Sequence, residues 1–196
     1  MKEYLSDALR NQQRAHEILS ESKIVELWQN HGCRVNLIGS LAMKLLVKHL
    51  DIDLHVYSSG ITEESSFAIA SQMAKDERVK EIKCINGLHT DEHCIAWHVK
   101  YEDTDSRIWQ IDIIHIEAGS CYDGYFEKMA ERINESLSDE DRDTIMRLKY
   151  ETPDGEEIHG VEYYQAVMEA GVKSLPELRT WAAANRKKGG SYWMPE

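Results

Sequence analysis

Residues 39 to 54 read Gly39-Ser40-Leu41-Ala42-Met43-Lys44-Leu45-Leu46-Val47-Lys48-His49-Leu50-Asp51-Ile52-Asp53-Leu54. A strand-like run from Arg34 to Ile38 ends in a Gly-Ser turn. Ten residues intervene, and two aspartates then stand one residue apart inside a second apolar run. In a strand alternate side chains share a face, so Asp51 and Asp53 point the same way, roughly 6–7 Å apart at ~3.3 Å of rise per residue. A turn that opens a helix presents unpaired backbone N–H groups to an anion. Two carboxylates behind such a turn are the donor set for a hard divalent cation such as Mg2+, which bridges phosphate oxygens.

A third acid strengthens this pattern. Asp112 sits in Ile108-Trp109-Gln110-Ile111-Asp112-Ile113-Ile114-His115-Ile116, a run otherwise dominated by apolar residues. A carboxylate in mid-strand is costly to bury without a positive partner, and a metal ion is an economical one. The alternative is an edge-strand aspartate facing solvent. Glu117 shares the parity of His115 rather than of Asp112, which makes it the weaker candidate.

The chain of 196 residues is long enough for a real core, and 42% hydrophobic with 30% charged residues is ordinary for a globular protein. Its formal net charge of −12 argues against a nucleic-acid partner, because phosphate neutralisation supplies most non-specific affinity there. A cationic or neutral small molecule, or a protein, suits an acidic surface better. Cys33, Cys84, Cys94 and Cys121 form no CxxC pair. No secretory signal and no apolar run near the ~20 residues of a membrane span appear, so the expectation is a cytoplasmic chain with reduced thiols.

Periodicity predicts helix over 1–31 with a restart at Ser22 and a stop at His31-Gly32. Strands follow at 34–38, 51–57, 79–85, 94–101 and 107–116, bounded by turns such as Asn86-Gly87 and Asp103-Thr104-Asp105-Ser106. Helices are expected over 40–49 and 62–74, from Gly124 onward, after the Ser138 N-cap, at 161–170 and at 175–187 behind the capping box Ser174…Glu177. The tail from Gly189-Gly190-Ser191 reads as frayed. The layout is α+β: N-terminal helices over 1–31, a mixed-sheet core over 32–120 with helices on one side, and a C-terminal helical layer over 121–196.

Ile38, Gly39, Ser40, the ten-residue gap and Asp51-Ile52-Asp53-Leu54 resemble the signature of the nucleotidyltransferase superfamily that includes DNA polymerase β. Within it, the chain resembles the small bacterial transferases that adenylylate antibiotics. The resemblance implies a mixed-sheet catalytic core. It further implies that Gly39 and Ser40 hold the nucleotide phosphates, that Asp51 and Asp53 bind metal, and that Asp112, placed by its setting alone, is the third acid and binds metal or acts as base. The activity implied is Mg2+-dependent transfer of a nucleoside monophosphate, most simply AMP from ATP, to a hydroxyl of a small molecule or protein. The competing class is a catalytically silent binding or regulatory module of the same fold, of the toxin–antitoxin type.

Further residues carry two readings each. Lys44 is the candidate to reach phosphate from the helix after the turn, yet Lys44 and Lys48 at this spacing also describe a solvated face. His55 shares the face of the aspartates and either touches substrate or packs beside them. Arg147 and Lys149 are placed to contact a triphosphate from the C-terminal layer. His89, His93, Cys94 and His98 invite a zinc site, but their segment reads as a surface loop entering a strand. Trp97, Trp109, Tyr163 and Tyr164 read as core or groove lining, where an aromatic could stack on a base.

Overall fold

The computed structural model describes residues 2–186 and 193–195. Five strands form one sheet: β1 (Arg34–Ile38), β2 (Asp51–Ser58), β3 (Val79–Asn86), β4 (Cys94–Glu102) and β5 (Ile108–Glu117). Their spatial order is β1-β2-β5-β4-β3, with β2 and β5 parallel and the other pairs antiparallel. Among the described residues eight helices surround it: α1 (Glu3–Glu21), α2 (Ile24–Asn30), α3 (Gly39–Ala42), α4 (Glu63–Met73), α5 (Tyr125–Ser136), α6 (Asp139–Glu151), α7 (Gly160–Ala170) and α8 (Leu175–Asn185). The fold is the expected α+β architecture.

Alternation along the strands divides the sheet into two unlike faces. Ile52, Leu54 and Val56 of β2, Ile111 and Ile113 of β5, and Trp97 and Val99 of β4 pack with α2, α4 and the C-terminal half of α1 in one core. The other face carries Asp51, Asp53 and Asp112. A second core joins α5 to α8 with Tyr4 and Ala8 from the start of α1. Helix boundaries follow local chemistry. Ser138 Oγ accepts from Asp141 N at 3.1 Å, and Ser174 and Glu177 form the reciprocal capping box ahead of α8. Lys23, at φ 56°, separates α1 from α2, and Gly32, at φ 81°, ends the N-terminal pair. The expected end of the last helix at 187 and residues 189–192 of the tail lie outside the described residues. The tail expected to fray is anchored at its end: Trp193 is buried in the second core and donates to Glu169 Oε1 at 2.6 Å.

One expected element is different. The helix predicted over 40–49 stops at Ala42, and Lys44 turns the chain at φ 57°. Burial overrides the helical pattern here. Met43, Leu45 and Val47 enter the helical core while Leu46 enters the sheet core, an alternation that only extended chain provides. The backbone is satisfied from outside, as buried carbonyls require. Arg142 donates to Met43 O, Lys149 to Leu45 O, Gln12 to Leu46 O and Asn11 to Val47 O, at 2.6, 2.8, 2.9 and 2.7 Å.

Candidate active site

The parallel pairing of β2 with β5 sets Asp53 directly beside Asp112 and Asp51 beside Gln110. The antiparallel pairing of β4 with β5 continues the first row to His98. Asp53, Asp112 and His98 therefore stand in line across three strands, at about 4.8 Å per strand, with Asp51 on the same face. His98 Nδ1 donates to Asp112 Oδ1 at 2.6 Å, and Gln110 Nε2 donates to the same oxygen at 2.7 Å. One oxygen of Asp112 is thus held by two donors, and its other oxygen takes no hydrogen bond from the described residues.

Gly39 is required by this arrangement. It adopts φ +68°, and a Cβ built on it would lie 1.9 Å from Asp53 Oδ2. The turn and the carboxylate are packed against each other, so the sequence's two most informative features form one structural unit. Gly39, Ser40, Asp51 and Asp53 line a cleft of about 300 Å³ whose opposite wall is Lys149, Tyr163 and Tyr164 from α6 and α7.

The cleft is electrostatically unbalanced. Burial, reinforced by Asp112 and Asp51, pushes the Asp53 carboxyl up to about 7. Burial also raises Asp51, against the attraction of His49. Lys149 is buried, and desolvation brings its ammonium down to about 8 even though Asp51 and Asp53 favour its charged form. Among the described residues lining the cleft, Lys149 is the one buried ammonium that faces these carboxylates.

Lys149 lines the cleft, whereas Arg147, paired with it in the sequence reading, turns away to Glu151 and the Lys173 carbonyl. Lys44 is exposed on its left-handed turn and does not line the cleft; the helix meant to aim it is absent. His55 is buried, its Nδ1 3.2 Å from the Tyr57 hydroxyl. The zinc reading does not assemble. His89 meets Glu63, His93 meets the Leu88 carbonyl and His98 meets Asp112. His98 and Gln110 are the residues sequence reasoning missed as neighbours of the acid. A signal existed, because Asp103 N donates to Arg107 O across the turn. His98 and Asp112 lie equally far from that closing pair, which makes them opposite each other in a hairpin.

No protein-family model and no curated protein sequence matches the chain. Solved structures do match its fold. The non-canonical poly(A) polymerase complex GLD-2–GLD-3 superposes with a TM-score of 0.58 at 10% identity, covering 93% of this chain and 61% of that one. The GLD-2/RNP-8 complex gives 0.57 at 11% identity, covering 93% and 64%. Cid1 poly(U) polymerase bound to MgGTP gives 0.52 at 15% identity, covering 82% and 49%. The chain has the nucleotidyltransferase fold. It spans about half to two thirds of the length of these nucleotidyltransferases. Among its described residues no helix is long and apolar enough to cross a membrane.

Proposed function

We propose that this chain is a Mg2+-dependent nucleotidyltransferase that moves a nucleoside monophosphate, most simply AMP from ATP, onto a hydroxyl with release of pyrophosphate. The observation that carries the reading is the placement of Asp51, Asp53 and Asp112 on one sheet face beside the Gly39-Ser40 turn. The acceptor oxygen attacks the α-phosphorus and forms a P–O bond. The bond to the pyrophosphate oxygen breaks and that oxygen leaves with the electron pair, while the hydroxyl proton passes to Asp112 or to water.

Mg2+ suits these residues. Among the described residues no group of three or more His, Cys, Asp or Glu, the Asp51, Asp53 and Asp112 set included, is placed to hold a metal ion as a cage. Mg2+ is commonly held by one or two carboxylates together with substrate phosphates and water, so such a cage is not needed. Asp51 and Asp53 accept no hydrogen bond from the described residues, which leaves their oxygens for a cation, and Asp112 keeps one oxygen for the same use. When bound, the cation neutralises charge on the departing pyrophosphate. The chain's own part is to supply backbone N–H groups at Gly39 and Ser40 and to hold a buried ammonium at Lys149 for phosphate.

The acidic surface supports a small-molecule or protein acceptor, as in the antibiotic-modifying branch. The RNA-tailing neighbours favour a second reading, an RNA 3′-hydroxyl. Labelled ATP with Mg2+ should give labelled products from hydroxyl compounds or proteins and none from an oligoribonucleotide; the reverse pattern establishes the second reading. Asp51→Ala and Asp53→Ala should abolish transfer. Gly39→Ala should lower it about 100-fold, the scale expected when a reacting group is displaced by ~1 Å. Wild type and all three variants behaving alike would leave only the silent module.

A further inference from the structure

A second cavity lies on the catalytic face of the sheet. It measures about 210 Å³ and is lined by His55, Ala96, Ile114, Ile116 and Phe126, with Glu92 at its edge. Register fixes its relation to the acids. His55, Ile114 and Ala96 stand two residues along from Asp53, Asp112 and His98 on the same three strands. The cavity therefore begins one side-chain row from the acids, about 7 Å away at ~3.3 Å of rise per residue. The cleft holding Gly39, Ser40 and Lys149 also contains Asp51 and Asp53. Asp53 and Asp112 thus lie between a phosphate-ready cleft and an apolar cavity.

We infer that this cavity seats the body of the acceptor, a small neutral alcohol carrying an aromatic or branched apolar group, with its hydroxyl directed to Asp112. The inference rests on the transferase reading and names its acceptor class. Size supports it, since an apolar cavity of ~150 Å³ already takes a benzene ring. Polarity supports it as well. Ala96, Ile114, Ile116 and Phe126 offer apolar contact, and Glu92 at the edge repels a phosphodiester chain. Tyr57 commits its hydroxyl proton to Glu127 at 2.7 Å, so its oxygen accepts from His55 Nδ1. That tautomer leaves His55 Nε2 as an acceptor, which takes no hydrogen bond from the described residues and suits an O–H or N–H on the ligand. Phe126 meets the His55 ring edge-on at 5.0 Å, which fixes the aromatic wall.

The full chain is titrated with 2-phenylethanol, with glycerol and with a short oligoadenylate while amide NMR shifts are followed; Mg2+–ATP binding is measured separately by calorimetry. The expected result is that 2-phenylethanol shifts the amides of residues 94–96 and 114–116 and is adenylylated, that glycerol does neither, and that Ala96→Leu weakens its binding at least tenfold while Mg2+–ATP still binds. Ala96→Val, which fills less space, serves if the leucine variant does not fold, with a smaller loss in the same direction. Unchanged binding in the filled variants, or none in wild type that binds Mg2+–ATP, overturns the acceptor assignment alone. Shifts of the same amides by oligoadenylate overturn it in favour of an RNA end. Failure of wild type to bind Mg2+–ATP overturns the transferase reading and the acceptor role with it.

Discussion

Asp53 concentrates the conflict between stability and function. Its half-buried carboxyl packs against Gly39 with Asp112 alongside, and its proton is held up to about 7. A raised carboxyl favours the protonated form in the folded state. Its contribution to stability is therefore fully present below the unfolded value of ~4 and is lost as pH rises through about 7. Without divalent cation, the melting temperature should fall between about pH 4 and 7, and Asp53→Asn should remove most of that fall while abolishing transfer. The downward shift of Lys149, to about 8, acts in the opposite direction and at higher pH, so it does not produce this window. Parallel wild-type and Asp53→Asn curves in thermal melts with chelator would reject the assignment. His98 acts on the neighbouring acid. Its Nδ1–H and the Gln110 amide hold one oxygen of Asp112, so His98→Ala should let the carboxylate rotate. The expected loss is about 10–100-fold in kcat, with the Mg2+ concentration needed for half-maximal rate raised and KM for ATP nearly constant. His98→Asn, which keeps a short donor, should recover part of the rate. A loss confined to KM would place His98 in nucleotide binding instead.

At the scale of elements, the connection from Met43 to Leu50 decides whether the turn and the acids stay together. It carries no regular structure, and side chains from α1 and α6 supply its hydrogen bonds. Asn11 is buried and donates to the Val47 carbonyl at 2.7 Å. Asn11→Ala should cost about 1–3 kcal/mol, the penalty of a buried carbonyl left without its donor. Chemical denaturation measures it; a loss below 0.5 kcal/mol would mean the connection is held by packing alone. This segment also shows where the sequence stopped being legible. The five strands and the Asp-x-Asp pair were readable because alternation is local, and Gly39 because turns demand particular residues. Leu45-Leu46-Val47 fits a helix equally well by composition, since three consecutive apolar residues do not reveal that they feed two separate cores. Lys44 was misplaced for that reason. His98 was hidden for another: its partner Asp112 becomes visible only when the β4–β5 register is counted from the Asp103–Arg107 closing pair.

For the molecule as a whole, the important fact is that the candidate cleft is built from both cores. Gly39, Asp51 and Asp53 come from the sheet side, whereas Lys149, Tyr163 and Tyr164 come from the helical layer. Among the described residues, two pieces of chain that tie those layers together bury side chains in both cores. One is the extended connection after the turn. The other is α1, which buries Ala15 and Ile18 in the sheet core and Tyr4 and Ala8 in the helical core. Arg107 reinforces the joint by donating to Asn11 Oδ1 at 3.1 Å while it pairs with the fully buried Asp103. A ligand in the cleft touches both layers, so its binding energy should stabilise them together. At about 100 times its dissociation constant, Mg2+–ATP should add ~2.7 kcal/mol, because binding to the folded state alone contributes RT ln(1 + [L]/Kd). In a chain of this size each kcal/mol raises the melting temperature by about 2–4 °C, so the expected rise is roughly 5–10 °C. The rise should appear equally in far-ultraviolet dichroism, which follows the helices, and in the tryptophan emission of a Trp181→Phe/Trp193→Phe variant, whose remaining Trp28, Trp97 and Trp109 are buried in the sheet core. Two transitions, with nucleotide moving only the tryptophan signal, would show that the helical layer is not a wall of the binding site.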